Sequence, residues 1–495
     1  MRGSVRGGWQ RAGKWTAAHP AAPGLALAAL ALLVQAALYW RFTVDDAFIT
    51  LRYARNLAQG NGPVFNPGER VEGYSSPLLV LILGGLGRLG LPYLVAAKGL
   101  GLAAAAGTLA VVYETARRVA GPRRGALAAL LVATYLPFTL WAVNGLETPL
   151  YALAVAWAML AFVRRRPLAS GLAWGMAALA RPEAPLLALA LLPWWGRRAP
   201  RYLAGLAGVI ALLLVWRLAY YGDWLPNTFY AKATGPLPLR VQQGAAYLWE
   251  WVWPDRLVWA GALLACLMPL LEHRRRWQAG CLAVAGAQLV FVLAAGGDWM
   301  PGWRFVVPVL PVLALLAAGS APARVLRPAA AVMVIVGLAG PSAWTARMEM
   351  ARVQQTYGAT HSPMRLAGDW LERHAAGCTA AASQMGVLPW HCPRLTVIDL
   401  TGLTDRHIAR LPGALNAKCD PAYLRRRRPD FVVLSVRDKE PFFPSERAWW
   451  ARRGEWLAGY RPVCRFHWYA HGHPVSSLVI YRRATLSGGA ATPRL

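Results

Sequence analysis

The sequence predicts a polytopic α-helical membrane protein with a small α/β domain at its C-terminal end, and three observations carry that prediction. Of 495 residues, 56% are hydrophobic and only 15% charged, and the mean hydropathy is +0.33, a balance that excludes a soluble enzyme. The Arg residues stand in short clusters between apolar runs. After about Trp344 the chain turns mixed and polar. The net charge of +30 then reads as topology, with basic clusters held on the cytoplasmic side, and no nucleic-acid partner is expected.

The first stretch, MRGSVRGGWQRAGKW, is basic and free of acids, and the apolar run Pro23 to Trp40 follows. It ends on the interfacial pair Tyr39-Trp40 with no small-residue cleavage pattern, which predicts a retained helix running from inside to outside. Leu78–Leu91 is apolar for about fourteen residues where a span needs roughly twenty, and it carries Gly84, Gly85, Gly87 and Arg88. Read as a juxtamembrane helix in the interface, it leaves every later basic cluster inside: Arg117 to Arg124, Arg164 to Arg166, Arg197 to Arg201, Arg274 to Arg276 and Arg324 to Arg327. The spans then run approximately over 94–116, 125–142, 149–163, 169–182, 184–195, 203–221, 256–272, 278–296, 303–319 and 328–344, which with the first makes about eleven. The pair flanking Arg181-Pro182-Glu183 is short and Pro-interrupted, a broken or re-entrant element of the kind allowed only where protein or water covers the freed backbone. The expected division is a transmembrane domain over 1–344, with a first extracytoplasmic loop and its juxtamembrane helices at 41–93, and an extracytoplasmic α/β domain over 345–495.

In that last domain, strand-like runs Leu395–Leu400, Phe431–Val436 and Ser477–Tyr481 alternate with helix-like runs Met364–Ala376 and Pro421–Arg426. Four of the six cysteines lie there. An even count in an exported domain suggests two disulfides, Cys378–Cys392 and Cys419–Cys464 among the three possible connectivities. Cys266 and Cys281 fall within spans and read as packing residues. Arg425 to Arg428 is either a solvated face or a contact for an anionic glycan or lipid head group.

The chemistry-bearing residues gather in five stretches that the same parity places on the outer face: the loop from Val44 to Pro77 with Asp45 and Asp46, Asn144 to Glu147, Arg181 to Glu183, Tyr220 to Lys232, and Gly296 to Arg304. Ionisable groups at membrane depth are costly and point to function, and five such stretches on one face suggest a lined cavity. Each also has a plainer account. Thr43 and Asp46 fit a capping box, Glu147 and Glu183 are helix-start acids, Asp223 and Asp298 sit in Gly turns, and Arg304 could anchor a span end. In a helix over Ala47 to Gln59, Arg52 and Asn56 share a face with Asp45. Asp45, Asp46, Glu147 and Asp298 offer hard oxygen ligands, so a divalent cation is open, though no spacing requires one. His273 stands alone, and His471 and His473 lack zinc spacing.

Here a resemblance becomes specific. DDAFITLRYARNLAQGNGPVFNPGERVEGYSSPL, NGLETPLYA, ARPEA, YYGDWLPNTFYAK, GGDWMPGWRFVVPVLP and DLTGLTDRHIAR resemble, in order, the signatures of the GT-C glycosyltransferases related to the mycobacterial terminal arabinofuranosyltransferase. The resemblance implies an enzyme of the bacterial cytoplasmic membrane that moves one sugar, with arabinofuranose a candidate, from a polyprenyl-phosphate carrier to a glycan, lipid or protein acceptor in the cell envelope. It implies Asp45 or Asp46 as general base. Arg52, Arg181, Lys232 and Arg304 are the cationic candidates for meeting the donor phosphate, and Glu72, Tyr74, Asn144, Glu147, Glu183, Asn227 and Asp298 the candidates for the remaining substrate contacts. Two other readings, a flippase for lipid-linked glycans and a polymer ligase, also accommodate many spans. A transporter has no need of an outer α/β domain, and no internal repeat joins the two halves.

Overall fold

A computed structural model describes residues 21–232, 236–253, 276–300, 302–320, 362–437, 440–441, 443–470 and 473–484. The spans expected at 256–272 and 328–344, with Cys266, His273, His471 and Arg324 to Arg327, lie outside them.

The protein is a multi-pass membrane protein. Among the described residues four helices are long and apolar enough to cross a bilayer: Ala22–Tyr39, Tyr93–Ala120, Gly196–Tyr221 and Arg276–Ala295. A fifth arises if Pro122–Thr134 and Leu136–Val143 count as one span bent by 64°. The bend has a local cause, because Pro137 lacks an N–H and crowds the carbonyl four residues back, and Tyr135 is extended between the two helices. Thr148–Val163, Pro167–Ala180 and Ala184–Trp194 are apolar but shorter, so length alone does not reproduce the expected total. Pro77–Arg88 has 12 residues, too few to span.

The chain forms two compact units. The first comprises residues 1–42, 98–213 and 238–350. Its helices approach closely where small residues meet, as is usual in membranes. A Cβ on Gly205 would lie 2.6 Å from the Leu168 carbonyl, and one on Gly125 2.8 Å from that of Tyr113. Trp141, Tyr151, Phe162 and Trp174 fill its interior.

The second unit comprises residues 43–97, 214–237 and 351–495, so the α/β tail is one compact body with the first loop and the 214–237 segment. Its sheet has the order β2-β1-β3-β6-β5, with β4 against β3: β1 Thr379–Ala382, β2 Thr396–Asp399, β3 Phe431–Arg437, β4 Glu440–Pro441, β5 Tyr460–Ala470 and β6 His473–Arg483. β1 runs parallel to β2 and β3, while β6 is antiparallel to β3 and β5. Alternate residues feed two cores. Ala380, Val397, Val433 and Ile480 face one with Tyr53, Phe65 and Tyr74 of the first loop, and Ala381, Ile398, Val432 and Leu434 face the other with Trp449 and Trp456.

The expected disulfides are corrected here. Cys378, Cys392, Cys419 and Cys464 are all free thiols. Cys378, Cys392 and Cys464 belong to the first core and Cys419 to the second, so the sheet stands between the two members of one expected pair. Burial pushes the Cys392 thiol up to about 12.

Candidate functional site

In the second unit, the helix Asp45–Ala58 has an extended Val44 at its N-cap, one residue past the Thr43 that a capping box with Asp46 would need there. The Asp45 carboxylate is buried and turned to the C-terminal domain instead. Oδ2 accepts from the Gly386 amide at 3.0 Å and Oδ1 from the Val387 amide at 2.8 Å. Burial pushes its carboxyl up to about 7, the neighbouring Asp46 adding to the shift and the two amides opposing it. Asp46 is half-buried.

Seven residues on, the Arg52 guanidinium is buried and donates to four backbone carbonyls: Phe65 at 2.9 Å, Pro389 at 2.5 Å, Cys392 at 3.4 Å and Leu395 at 2.7 Å. Asn56 donates to the Val64 and Phe65 carbonyls at 2.8 and 3.0 Å. The face that the seven- and eleven-residue offsets predict is thus a buried face. Its acid meets the amides that open the short helix Val387–His391, and its Arg meets the carbonyls at and beyond that helix's end.

The other second-unit candidates hold the unit together. Glu72 takes two hydrogen bonds from Arg217, at 2.6 and 3.1 Å, and the Tyr74 and Tyr221 hydroxyls lie 2.9 Å apart. Asn227 donates to the carbonyls of Gly402, Leu403 and Asp405 at 2.8, 3.0 and 3.3 Å. Asp223 pairs with Arg406 and Arg410 at 3.0 and 2.6 Å, and buried Lys418 donates to the carbonyls of Tyr230, at 2.8 Å, and Ala409. The YYGDWLPNTFYAK and DLTGLTDRHIAR stretches are therefore partners of each other. The Asp399 carboxylate shapes the second, taking the amides of Thr401 and Thr404, both at 2.8 Å, and burial pushes it up to about 6. Lys232 ends the helix Asn227–Lys232 and is exposed.

In the first unit, Arg181 is extended between the helices Pro167–Ala180 and Ala184–Ala190. It pairs with Glu147 at 3.0 Å and Glu183 at 2.8 Å. Arg304 pairs with Asp298 at 2.8 Å. The two guanidiniums lie 5.0 and 5.2 Å from the centre of one ring, Phe305. That residue's carbonyl accepts from Gln288 at 2.6 Å and its amide donates to the Tyr247 hydroxyl at 3.3 Å. The turn carrying Arg304 needs left-handed backbone at Gly296, Gly297, Gly302 and, against preference, Trp303 at φ 47°. Such strain persists where surrounding structure holds it, often at functional sites. Trp141 supplies part of that hold by donating to the Gly302 carbonyl at 2.7 Å.

Three carboxylates thus face two guanidiniums, and several buried polar atoms beside them, Glu183 Oε2, Tyr151 OH, Thr148 Oγ1 and Asn144 Nδ2, have no hydrogen-bond partner among the described residues. The other Asn144 atom, Oδ1, accepts from the Leu146 amide at 2.9 Å. Among the described residues no three His, Cys, Asp or Glu side chains come together in a way that could hold a metal ion. The sequence reading missed Arg217, Lys418, Asp399 and Gly386. Two of them had a signal: Arg217, as a lone Arg within an apolar helix, and Asp399, which opens the DLTGLTDRHIAR stretch.

Residues 349–481 match the model of a family described as Domain of unknown function (DUF8728). Over 330 residues the chain is 31% identical to a Mycobacterium tuberculosis protein named terminal beta-(1->2)-arabinofuranosyltransferase, covering 55% of this chain and 52% of that protein. It is 29% identical over 337 residues to a Corynebacterium glutamicum protein of the same name, covering 54% and 46%. The chain thus spans about half the length of the curated relatives it matches. Among solved structures, Cupriavidus metallidurans ArnT bound to undecaprenyl phosphate superposes with a TM-score of 0.61 over 95% of this chain and 99% of that one, at 14% identity. The Archaeoglobus fulgidus oligosaccharyltransferase without ligand gives 0.59 over 94% and 75%, at 11% identity. At such identities the likeness is one of fold, the GT-C fold.

Proposed function

We propose that this chain is a glycosyltransferase of the cytoplasmic membrane that transfers a single sugar, with arabinofuranose the first candidate, from a polyprenyl-phosphate carrier to a cell-envelope acceptor on the outer face. The observation that carries the reading is Asp45, a buried carboxylate fixed by two amides just beyond the first membrane helix, with its proton affinity raised to about 7. The similarity to proteins named as arabinofuranosyltransferases supports the donor class. So do two solved structures of the same fold, one bound to undecaprenyl phosphate and one in complex with a dolichol-phosphate.

In the proposed reaction the acceptor hydroxyl attacks the anomeric carbon, Asp45 takes its proton, and the bond from that carbon to the phosphate oxygen breaks. One displacement inverts the anomeric centre. The charge that develops on the leaving phosphate is assigned to Arg181 and Arg304 as preplaced cations, with Lys232 as a third. Arg52 has no part in it, since its donors are engaged by backbone carbonyls. Glu147, Glu183 and Asp298 hold the arginines and, with Asn144, are the proposed contacts for sugar hydroxyls.

The test is single-turnover transfer by the purified full-length protein from a panel of synthetic polyprenyl-phosphate sugars. Asp45→Asn should lower transfer by at least about a hundredfold, the usual range for a general base, with donor binding retained. The base works deprotonated, so the wild-type rate should rise with pH, level off above about 7, and fall about tenfold per unit below it. Near-normal transfer by Asp45→Asn and by Asp46→Asn would end the reading.

A further inference from the structure

The Asp45 carboxylate is buried without a cation among the partners that bond it, and its two hydrogen-bond donors belong to a domain more than 300 residues away in sequence. A buried carboxylate without a cation is costly, and glue between a helix and a domain could have been made of apolar residues. The donors are themselves firmly held. β1 ends at Ala382, and the next two side chains, Ser383 and Gln384, donate at 2.6 and 2.7 Å to the buried carboxylate of Glu446. The other oxygen of Glu446 takes the Ser435 amide at 2.8 Å and hydroxyl at 2.6 Å on β3. Two residues past this anchor come the Gly386 and Val387 amides. Beyond them Trp390 packs on Phe48, with ring centroids 6.0 Å apart, and under the Arg55 guanidinium at 4.3 Å, and Arg52 takes the carbonyls of Pro389, Cys392 and Leu395.

We infer that the C-terminal α/β domain is a positioning element for the first-loop carboxylate: the Gly386 and Val387 amides, locked to the sheet through Glu446, fix the Asp45 oxygens so that one face of the carboxylate is presented to an acceptor hydroxyl. The inference rests on the proposed role of Asp45 as base. The chemistry is consistent, because each carboxylate oxygen has two lone-pair sites and one amide per oxygen leaves a second site for the incoming proton. Raised proton affinity follows from the same burial, since neutral amides stabilise the charge less than a cation would. Gly386 is required by space. A Cβ there would collide with the Asp45 backbone oxygen and carboxyl carbon.

The collision supplies the test. Gly386→Ala keeps the acid but displaces it, and a misplacement of about 1 Å costs about a hundredfold in rate. In the full-length enzyme, kcat should fall by about that factor while KM for the polyprenyl-phosphate donor and the melting temperature stay near wild type. Asp45→Glu, which moves the carboxylate off the amides by one methylene while keeping its charge, should show the same split and serves if Gly386→Ala does not fold. Normal kcat in folded Gly386→Ala, or in Asp45→Glu, overturns the inference and leaves the base assignment standing. A silent Asp45→Asn overturns the base assignment itself, so the two failures are distinguishable.

Discussion

The two units bury their carboxylates in different ways. In the first, Glu147, Glu183 and Asp298 are paired with Arg181 and Arg304. In the second, Asp45, Asp399 and Glu446 are met by backbone amides, with Ser, Thr and Gln side chains beside them, and Glu72 is the exception, paired with Arg217 at the end of an apolar helix long enough to span. The difference follows from the surroundings. Spanning helices use their own backbone donors internally, so an acid among them has to find a side-chain cation. Turns and helix starts in an α/β body leave amides open, and these stabilise an anion without importing a second charge. The first arrangement leaves arginines in place for an anionic ligand. The second leaves acids whose proton affinity is high.

The largest effect that could break this contrast is expected at Arg181. Arg181→Met removes the shared partner of two buried acids, and breaking a buried pair in this way costs about 3–5 kcal/mol. Thermal unfolding in detergent should show a large drop, recovered in good part when Glu147→Gln and Glu183→Gln are added. A small drop, or no recovery in the triple variant, would mean that water rather than Arg181 satisfies those carboxylates.

A middle-sized effect is expected at Glu446. Glu446→Gln places an NH2 where an oxygen accepted hydrogen bonds, so donors meet a donor. The cost of leaving buried groups unmatched is about 1–3 kcal/mol. Melting should fall by that amount independently of salt, and amide exchange over 383–387 should quicken, because those residues lose their anchor to β3. Unchanged exchange there would detach Glu446 from the positioning of Asp45.

How much of this was legible depended on the range of the interaction. The apolar runs, the shared face of Asp45, Arg52 and Asn56, and strands β2 and β3 rest on local periodicity, which a sequence displays directly. What the shared face grips was not legible, because its partners, at residues 64–65 and 386–395, are backbone atoms, which carry no residue signature. Arg52 looked like a phosphate ligand since a guanidinium suits carbonyl oxygens as well as phosphate. β1, Thr379-Ala-Ala-Ala382, has almost no β-branched signal. It is nevertheless an interior strand, with both faces packed and little room for larger side chains. β5, at the sheet edge, escaped notice because Pro462, a residue that argues against a strand, falls inside it, and its ladder is interrupted by a register shift between Pro462 and Cys464. The cysteine pairing failed for a topological reason, since counting cannot tell which face of a sheet a residue will occupy.

The smallest effect belongs to Arg427, the one member of the Arg425 to Arg428 run paired with the first loop among the described residues, 3.0 Å from Glu69. Its side chain is 34% exposed and that of Glu69 38%, so both charges remain largely hydrated and the pair gains little by forming. Arg427→Ala should cost under about 1 kcal/mol, and the difference should vanish in 1 M salt, where the screening length is about 3 Å. Arg52→Ala in the same assay removes the donor from four buried carbonyls and should be far more damaging and indifferent to salt. If Arg427→Ala instead cost more than about 2 kcal/mol, beyond the range for exposed pairs, and kept that cost in salt, surface charge rather than buried backbone pairing would be what holds the first loop to its unit. The amides of Gly386 and Val387 would then be a consequence of that docking instead of its cause.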